Sequence, residues 1–502
     1  MEPLNPSSPS PTPQCDVLIV GAGPTGLMAA CELARRGIAV RVLDSAPGPF
    51  TGSRGKGLQP RSLEVLDNLG VAGELVSRGR FRLPVRFYAP DGSSTDADLS
   101  AGSEPDPASP YARTLLIPQW RVEETLRRHL EGLGAAPEWD RTVTGIVQHP
   151  GHAVAGLADG STVTARYVIG ADGGSSTVRR LLGMSFLGTT DEDERMLLGD
   201  VRLDGLDRDH WHIFQGSDGT SVALCPLPAQ DSFQIQAPVV PGDTSDPTVE
   251  TFQGIVDALV GPGRVRLHEA TWLSRWRLNV RMVDRYREDR VLLAGDAAHV
   301  HSPAGGQGMN TGIQDAANLG WKLAAVLHGA PDALLDTYQA ERLPVAAAVL
   351  GLSSRLMDQD AGAHGAEMDQ LLQLGHTYRG GPLAPAADPA AGGPQPGDRA
   401  PDAPCHLPDG SPATLFGLRR GGHWTLYGFG CAPRAHPAVR TVEIGADITD
   451  THHHARQAYG ADNGDMVLVR PDGHIAVRSR DADAVAAYLD EHLGGAPVPV
   501  HA

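Results

Sequence analysis

Short β-branched runs alternate along the chain with segments whose apolar residues repeat at helical spacing. Residues 17–20 form an uninterrupted apolar run, which predicts a strand buried on both faces. A glycine-rich turn follows, and apolar positions then recur with a helical period over residues 27–34. A second strand-like run, residues 39–43, ends at Asp44. This order predicts a βαβ unit at the start of an α/β domain.

The same patterns divide the rest of the chain. A Ser- and Pro-rich start predicts a disordered tail, and a stretch rich in Pro, Gly and Ala predicts a linker. Beyond the linker, two strand-like runs and an amphipathic helix at 482–493 predict a small α/β domain. The predicted divisions are a tail at 1–13, a nucleotide-binding domain at 14–184 and 286–380, an interleaved substrate-binding sheet at 185–285, the linker at 381–400 and the C-terminal domain at 401–502.

Alternation within the interleaved sheet places histidines on one face of a strand. His210 and His212 share one face, and Trp211 and Ile213 share the other. We expect the histidine face to be turned to solvent over a packed core. A substrate-pocket wall lined by imidazoles remains the alternative.

Composition is that of an ordinary globular protein and excludes several classes of partner. With 41% hydrophobic and 20% charged residues, the 502-residue chain is expected to fold into two or three domains. A net charge of −18 disfavours nucleic acid and anionic lipid as partners. Because the chain shows neither an apolar span nor a signal segment, we expect a cytoplasmic protein without a membrane anchor. The five cysteines are an odd number and are widely scattered, so we expect neither disulfides nor a structural metal site.

The turn after the first strand has the spacing of a nucleotide-binding loop. Gly21 permits the tight turn, Gly23 lets a pyrophosphate approach the backbone amides, and Gly26 lets helix and strand pack closely. The helix N-terminus adds N–H donors and partial positive charge. Asp44 can accept hydrogen bonds from a ribose diol. The complete motif is Gly21, Ala22, Gly23, Pro24, Thr25 and Gly26.

A second segment, residues 167–179, ends a strand at a turn that contains Asp172. Ser175 and Ser176 are candidate caps of the following helix, and Arg179 brings an opposite charge to the turn. Taken alone, this segment is equally typical of a capped helix with a surface ion pair.

A third segment, residues 290–299, ends a buried strand at Asp296, which can reach a sugar or ribityl hydroxyl. The loop that follows offers backbone amides with few side chains, which suits contact with a flat, electron-rich ring. A helix predicted from Asn310 can stabilise negative charge on such a ring. The loop residues are Pro303, Ala304, Gly305, Gly306, Gln307 and Gly308.

Together these three segments resemble the class A flavoprotein monooxygenases, the family of para-hydroxybenzoate hydroxylase and phenol hydroxylase. The resemblance covers residues 15 to about 350. It implies a Rossmann-like FAD-binding domain, with NADPH or NADH as a transient co-substrate and O2 as the oxidant. The residues implied in FAD binding are Gly21, Gly23, Pro24, Thr25, Gly26, Asp44, Arg54, Gln119, Asp172, Asp296, Gly308, Met309 and Asn310, and Pro303, Gly305 and Gly306 are implied in positioning the oxygenated flavin.

The chain departs from the family pattern at three places. Asp44 stands where many relatives carry Glu, although the shorter side chain should still reach a ribose hydroxyl. Gly55, Lys56 and Gly57 replace small-to-medium residues, which changes local charge near the flavin. After residue 400 the chain is similar to the thioredoxin-like domain of phenol hydroxylase and antibiotic-pathway hydroxylases, but it lacks a redox cysteine pair, so we expect a structural role.

The resemblance implies that the protein hydroxylates a small phenolic or polycyclic aromatic substrate through a C4a-hydroperoxyflavin, as a monomer or homodimer. Baeyer–Villiger oxygen insertion and a flavin-loaded binding protein without turnover remain alternatives. His299 and His301 are candidate proton relays beside the flavin loop, although packing or capping roles are favoured. An arginine cluster could steer an NADPH phosphate, although a solvated face is the commoner outcome. Its members are Arg275, Arg277, Arg281, Arg285 and Arg287.

Overall fold

Two large β-sheets and a smaller C-terminal sheet organise the chain. The computed structural model describes residues 13–98, 104–239, 246–302, 304–358, 370–387 and 392–494. Helices pack on the sheets throughout, which confirms the predicted α/β class. Within these described ranges, no helix is long and apolar enough to cross a membrane.

The first sheet is mostly parallel and contains the predicted βαβ unit. Its main path consists of β16 (Arg287–Glu288), β17 (Val291–Leu293), β10 (Thr162–Gly170), β1 (Cys15–Val20), β2 (Val40–Leu43) and β7 (Pro137–Glu138). From β17 to β7 all neighbours are parallel, whereas β16 is antiparallel to β17. The hairpin of β8 (Val143–Gln148) and β9 (Ala153–Leu157) extends β10. Since β1 lies between parallel neighbours, its apolar run is almost wholly buried.

Helices cover this sheet and the turns at its strand ends. Pro24 begins α1, where the fixed φ of proline suits the first helical turn. α1 packs against both α4 and α7. The helices before the C-terminal domain are α1 (Pro24–Ala34), α2 (Pro60–Leu69), α3 (Ala72–Arg78), α4 (Gln119–Gly132), α5 (Thr177–Leu181), α6 (Val249–Val260), α7 (Gly308–Leu327) and α8 (Asp336–Asp358). A short antiparallel ladder joins β3 (Gly57–Leu58), which precedes α2, to β6 (Leu115–Leu116), which precedes α4.

The second sheet is mostly antiparallel and includes strands that the sequence patterns did not predict. Its strands in spatial order are β18 (His299–Val300), β15 (Arg266–Val283), β11 (Phe186–Asp204), β14 (Phe233–Pro238), β13 (Ser221–Pro226), β12 (Trp211–Gln215), β4 (Val85–Tyr88) and β5 (Ser94–Ala97). β4, β5 and β18 come from outside residues 185–285. α6 covers one face, where Phe252 packs in a core with Phe214, Val222 and Ile235.

His212 lies on the core face of β12, so the prediction that it faces solvent is wrong. The side chain is fully buried. Its Nε2–H donates to the carbonyl oxygen of Asp207 at 2.9 Å, which leaves Nδ1 to accept from the Tyr88 hydroxyl at 2.9 Å. Two hydrogen bonds satisfy the imidazole and allow it to pack in the core. Trp211 occupies the opposite, partly exposed face.

The C-terminal domain is built on a four-stranded mixed sheet. In spatial order its strands are β22 (Val439–Ile444), β21 (Trp424–Phe429), β23 (Met466–Val469) and β24 (Ile475–Ser479). The other elements are β19 (Pro404–His406), β20 (Pro412–Thr414), α9 (Leu415–Arg419), α10 (His454–Tyr459) and α11 (Ala482–Leu493). The predicted strands at 424–427 and 466–469 and the predicted helix at 482–493 are confirmed.

A buried group of charges joins this domain to α7 and α8. Glu341 accepts hydrogen bonds from Arg470 at 2.6 and 2.8 Å and from Lys322 at 2.7 Å. Asp472 accepts from the Trp321 indole at 3.0 Å, and Trp321 packs edge-on against Trp424. Because these charges are mutually paired and desolvated, separating the domains would leave uncompensated buried charge.

Candidate functional site

The turn after β1 allows close approach to its backbone. Gly21 has a φ of +107°, and a β-carbon there would lie 2.3 Å from the Ala171 carbonyl oxygen, so only glycine fits. A β-carbon on Gly23 would meet no atom within 4 Å. Gly23 is the N-cap of α1 and provides no side-chain cap. The first amides of α1 are therefore left facing an open surface, which forms an anion-binding cradle.

Asp44 holds this turn from the end of β2. Its Oδ2 accepts a hydrogen bond from the Ala22 amide at 2.7 Å, and its Oδ1 accepts from the Ala46 amide at 2.8 Å. Each oxygen keeps a second lone pair for a hydroxyl donor. The sequence predicted the position of Asp44 at the strand end, whereas its bonds to the backbone emerge only from the fold.

Asp172 caps α5 and does not pair with Arg179. Its carboxylate accepts from the Ser176 hydroxyl at 2.5 Å and from the Thr177 amide at 2.6 Å. Arg179 donates to the Ala297 carbonyl at 2.8 Å. The surface ion pair considered for this segment is therefore not formed. Arg179 instead ties the second aspartate segment to the third.

The Asp296 side chain is accessible although neighbouring elements surround it. Burial raises the pKa of its carboxyl, and the charges of His299 and Arg54 act in the opposite direction. A β-carbon on Gly308 would lie 3.8 Å from Asp296 Oδ1, so the next loop passes close by. An accessible carboxylate within an enclosed cleft is suited to accept hydrogen bonds from a ligand.

Asp315 on α7 fixes the third aspartate segment, and the sequence patterns did not identify it. Its Oδ2 accepts from the Gly295 amide at 3.1 Å and from His299 Nε2 at 2.7 Å. Its Oδ1 accepts from Arg342 Nε at 2.7 Å. Burial alone would raise the pKa of Asp315, but Arg342 and His299 outweigh it and hold that pKa below its ordinary value. The one sequence sign of this role is that Asp315 is the only acidic residue of α7.

The loop before α7 is held against the segment that follows Arg54. Gly305 and Gly306 have φ values of +74° and +61°, which favour glycine. Asn310 Oδ1 accepts from the Gln59 amide at 2.7 Å, and Asn310 Nδ2 donates to the Gly306 carbonyl at 2.8 Å. Pro303 lies outside the described residues, so its predicted role stays a prediction.

The N-terminus of α7 lies beside Asp296 without a side-chain cap. Gln307 is the N-cap residue and makes no capping hydrogen bond with its side chain. The amides that begin with Gly308 and Met309 are thus left for another acceptor. This 20-residue helix also places partial positive charge at its start, which suits an anionic group or a negatively charged ring.

Gln119 fixes the loop that carries Arg54. The Gly55 amide donates to Gln119 Oε1 at 3.1 Å, and the Gln119 amide donates back to the Gly55 carbonyl at 2.9 Å. The exposed Arg54 guanidinium lies 5.2 Å from the Phe50 ring centroid. Gln119 and the loop that carries Arg54 therefore lie together, and the implied contacts of both residues with FAD stay a prediction.

The remaining candidates have separate outcomes. His299 is bound to Asp315, in agreement with the favoured packing role. Burial lowers the pKa of His301 to about 4, and its Nδ1–H donates to the Ser302 carbonyl at 3.1 Å. A relay role for His301 stays a prediction. In the arginine cluster, Arg285 and Arg287 form ion pairs with nearby carboxylates.

These elements meet at the carboxyl ends of β1, β2, β10 and β17. They provide an anion cradle at Gly23, hydroxyl acceptors at Asp44 and Asp296, and the uncapped start of α7 beside a glycine loop. This set fits a dinucleotide that carries a flat ring. In the part of the chain that the structure describes, no cluster of His, Cys, Asp and Glu could hold a metal ion.

Comparison with known proteins agrees with this geometry. Residues 14–353 match the FAD binding domain family, and residues 393–496 match the C-terminal domain of aromatic-ring hydroxylases. The chain is 44% identical to a flavin-dependent monooxygenase of Mycobacteroides abscessus, over 94% of this chain and 99% of that protein. It is 41% identical to a rifampicin monooxygenase of Streptomyces venezuelae, over 67% of this chain and 69% of that protein.

A solved structure shows the same arrangement of domains. Aklavinone-11 hydroxylase in complex with FAD and aklavinone is 27% identical and superposes with a TM-score of 0.82, covering 97% of this chain and 100% of that one. FAD is thus the cofactor, and NAD(P)H and O2 are the co-substrates that the monooxygenase class implies. The chain belongs to the FAD-dependent aromatic-ring monooxygenases.

Proposed function

We propose that this protein hydroxylates a phenolic ring within a polycyclic aromatic substrate, with NADPH or NADH as reductant. The observation that carries the proposal is that one face of the second sheet is turned toward residues 50–57, the cofactor loop, which carries Arg54. Trp211, Ile213 and Trp272 are partly exposed on this face, and a β-carbon on Gly52 would lie 2.5 Å from the Trp272 ring. Aromatic and apolar side chains beside the cofactor loop suit a flat aromatic ligand.

The polar groups at the strand ends are assigned to FAD. In this assignment the cradle from Gly21 to Gly26 holds the pyrophosphate, and Asp44 accepts from the adenosine ribose. Asp296 accepts from the ribityl chain, which agrees with its accessible carboxylate. Gly308, Met309 and Asn310 present the start of α7 to the isoalloxazine. Arg54, Gln119 and Asp172 are assigned to the part of the site that holds the FAD diphosphate, either as direct contacts or by fixing the residues that make them.

Bound FAD, reduced by NAD(P)H, supplies the activation of oxygen. The protein positions the reactants and excludes water. Glycines at 305 and 306 keep side chains away from the ring, while Asn310 fixes their loop through hydrogen bonds to Gln59 and Gly306. Asp315 and Arg342 hold the segment of Asp296 in one geometry.

Hydroxylation is favoured over Baeyer–Villiger insertion by the placement of charge. Baeyer–Villiger chemistry needs an anionic oxygen nucleophile, which a fixed cation beside the flavin ring would stabilise. The described loop from 304 to 308 carries no formal charge. Two nearby cations could reverse this argument. Lys56 extends to Gln234 on the second sheet, and Arg54, whose charge lowers the pKa of Asp296, is assigned to the FAD diphosphate.

The names of relatives narrow the substrate class. They include rifampicin monooxygenases, 6-methylpretetramide 4-monooxygenase and anhydrotetracycline monooxygenase, whose names refer to polycyclic antibiotics or their precursors. We therefore propose an antibiotic-pathway or antibiotic-modifying hydroxylase. It would act in the cytoplasm as a monomer or homodimer, without nucleic acid or membrane partners, in keeping with its net charge of −18.

The test is turnover of a panel of polycyclic phenols by the purified, FAD-loaded protein. Substrate-dependent O2 uptake with NADPH consumption is expected, and NMR of the product should show a new aromatic C–OH. An ester or lactone carbon would indicate Baeyer–Villiger insertion. If tight substrate binding occurs without NAD(P)H consumption at any substrate concentration, the protein is a binding protein and the proposal fails.

A further inference from the structure

The side chain of Lys56 extends from the cofactor loop toward the second sheet. Its Nζ donates to Gln234 Oε1 at 2.6 Å and lies 4.1 Å from the centroid of the Trp211 ring. Gln234 and Trp211 project from β14 and β12 on the face opposite α6, because Phe233 and His212, their sequence neighbours, lie on the core side. The ammonium thus crosses from the cofactor loop to the proposed substrate side.

The ammonium of Lys56 is partly buried and has few protein partners. Within the described ranges, no carboxylate forms an ion pair with it, and Gln234 Oε1 is its one hydrogen-bond acceptor. That oxygen is shared, because Gln236 Nε2 also donates to it at 3.0 Å. An ammonium has three donors, and a buried charge is costly unless it is paired. Burial accordingly lowers the pKa of Lys56.

Asp200 is a second buried charge on the same face. It is opposite Gln234 in the pairing of β11 with β14. Its side chain is 1% exposed, and neither carboxylate oxygen has a hydrogen-bond partner among the described residues. Asp200 and Cys225 are the titratable groups that raise the pKa of Lys56 through their charge. Asp200 is therefore closed to ligands, whereas Lys56 remains partly exposed.

We propose that Lys56 binds the ionised oxygen of an acidic phenolic substrate and so selects aromatic rings that bind as phenolates. This inference rests on the proposed function. An anionic oxygen at Nζ would supply the missing acceptor and counter-charge, and the ring of Trp211 would lie beside the bound aromatic system. The phenol proton passes to solvent while Lys56 keeps its own protons. The bound phenolate is more electron-rich than the phenol, which favours attack on an electrophilic oxygen.

The probe is alizarin, a polycyclic phenol whose anion absorbs at longer wavelength than both the neutral dye and oxidised flavin. Difference spectra are recorded with the FAD-loaded protein at a pH where free alizarin is neutral, without NADPH. The wild-type protein is expected to show the anion band. Lys56→Met should lose this band and bind about tenfold or more weakly, because one charge-assisted hydrogen bond is removed. Lys56→Arg should restore the band.

Two controls separate charge recognition from a structural role. The neutral 1,2-dimethoxyanthraquinone should bind wild-type protein and Lys56→Met equally. Arg202→Met removes an exposed cation from the same sheet and should leave the anion band intact. An unshifted alizarin spectrum with wild-type protein, or an anion band that survives in Lys56→Met, overturns the inference. A wild-type anion band without hydroxylation of any phenol would reject the proposed function and leave the role of Lys56 standing.

Discussion

The carboxylate of Asp315 accepts a hydrogen bond from His299 Nε2 at 2.7 Å, and both side chains are fully buried. The same oxygen of Asp315 accepts from the Gly295 amide, next to the accessible Asp296. The position of a proposed cofactor ligand is therefore set by a residue of α7 that faces the protein interior.

Asp315→Asn should destabilise the fold and weaken FAD retention together. The substitution removes the charge that compensates Arg342, whose Nε donates to Asp315 at 2.7 Å. Breaking such a buried pair costs about 3–5 kcal/mol. Urea unfolding measures the loss of stability, and flavin absorbance after gel filtration measures retention. Glu269→Gln, at an exposed ion pair with Arg202, should change the unfolding free energy by no more than about 1 kcal/mol; equal effects would contradict the interpretation.

Asp296→Ala should weaken FAD binding while leaving the fold stable. It removes an accessible charged acceptor, and hydrogen bonds to charged groups contribute about 1.5–3 kcal/mol, so the dissociation constant should rise about 10- to 150-fold. Titration of apoprotein with FAD, followed by fluorescence, measures the change. Asp218→Ala, in an exposed turn of the second sheet, is the matched control. FAD affinity equal to that of wild type in Asp296→Ala would remove this residue from the site.

Patterns in the sequence predicted the elements that local chemistry determines. Residues 17–20 form a buried strand, α11 spans its predicted residues, and Ser176 caps α5. Sequence patterns did not predict the environment of a side chain where contacts with distant segments determine it. His212 is buried because Tyr88, 124 residues away, satisfies its ring.

The partners of site residues were beyond prediction for the same reason. Nothing local to Lys56 indicates that its ammonium meets Gln234, 178 residues later. Arg179 likewise reaches the Ala297 carbonyl instead of the nearby Asp172. The loops at 21–26 and 303–308 could be located from their glycines, because glycine is required by local backbone geometry. The charges around it are paired only by tertiary structure.

Replacing Cys405 and Cys431 with serine should leave activity and FAD content unchanged. All five cysteines of the protein are free. Burial raises the pKa of Cys405 to about 11, and burial also raises the pKa of Cys431, so neither thiol is an activated thiolate near neutral pH. Turnover of the double variant, compared with wild type at equal FAD content, tests this prediction. A large loss of activity in a folded, flavin-loaded variant would show that the C-terminal domain performs thiol chemistry.

Asp200→Asn should be more stable than the wild-type protein above about pH 6 and nearly equal to it below about pH 4. Burial raises the pKa of Asp200 from 3.8 to about 6, although the charge of Lys56 acts against it. A raised folded-state pKa means that the acid form is favoured by folding. The carboxyl therefore lowers the unfolding free energy progressively as pH rises from about 4 through 6, by about 1–3 kcal/mol in total. The amide of Asn cannot ionise, so the variant avoids this loss.

The quantity to measure is the difference in unfolding free energy between Asp200→Asn and wild type, from urea titrations at pH values between about 4 and 8. Taking the difference cancels the effects of all other titrating groups that the substitution does not touch. Asp218→Asn provides a control, because hydrogen bonds from Thr220 lower the pKa of Asp218; its carboxylate is therefore ionised in both folded and unfolded protein over most of this range, and the difference for this variant should stay nearly constant above about pH 5. A difference for Asp200→Asn that stays constant with pH would mean that burial does not raise the pKa of the Asp200 carboxyl. The lack of hydrogen-bond partners at Asp200 would then need another explanation.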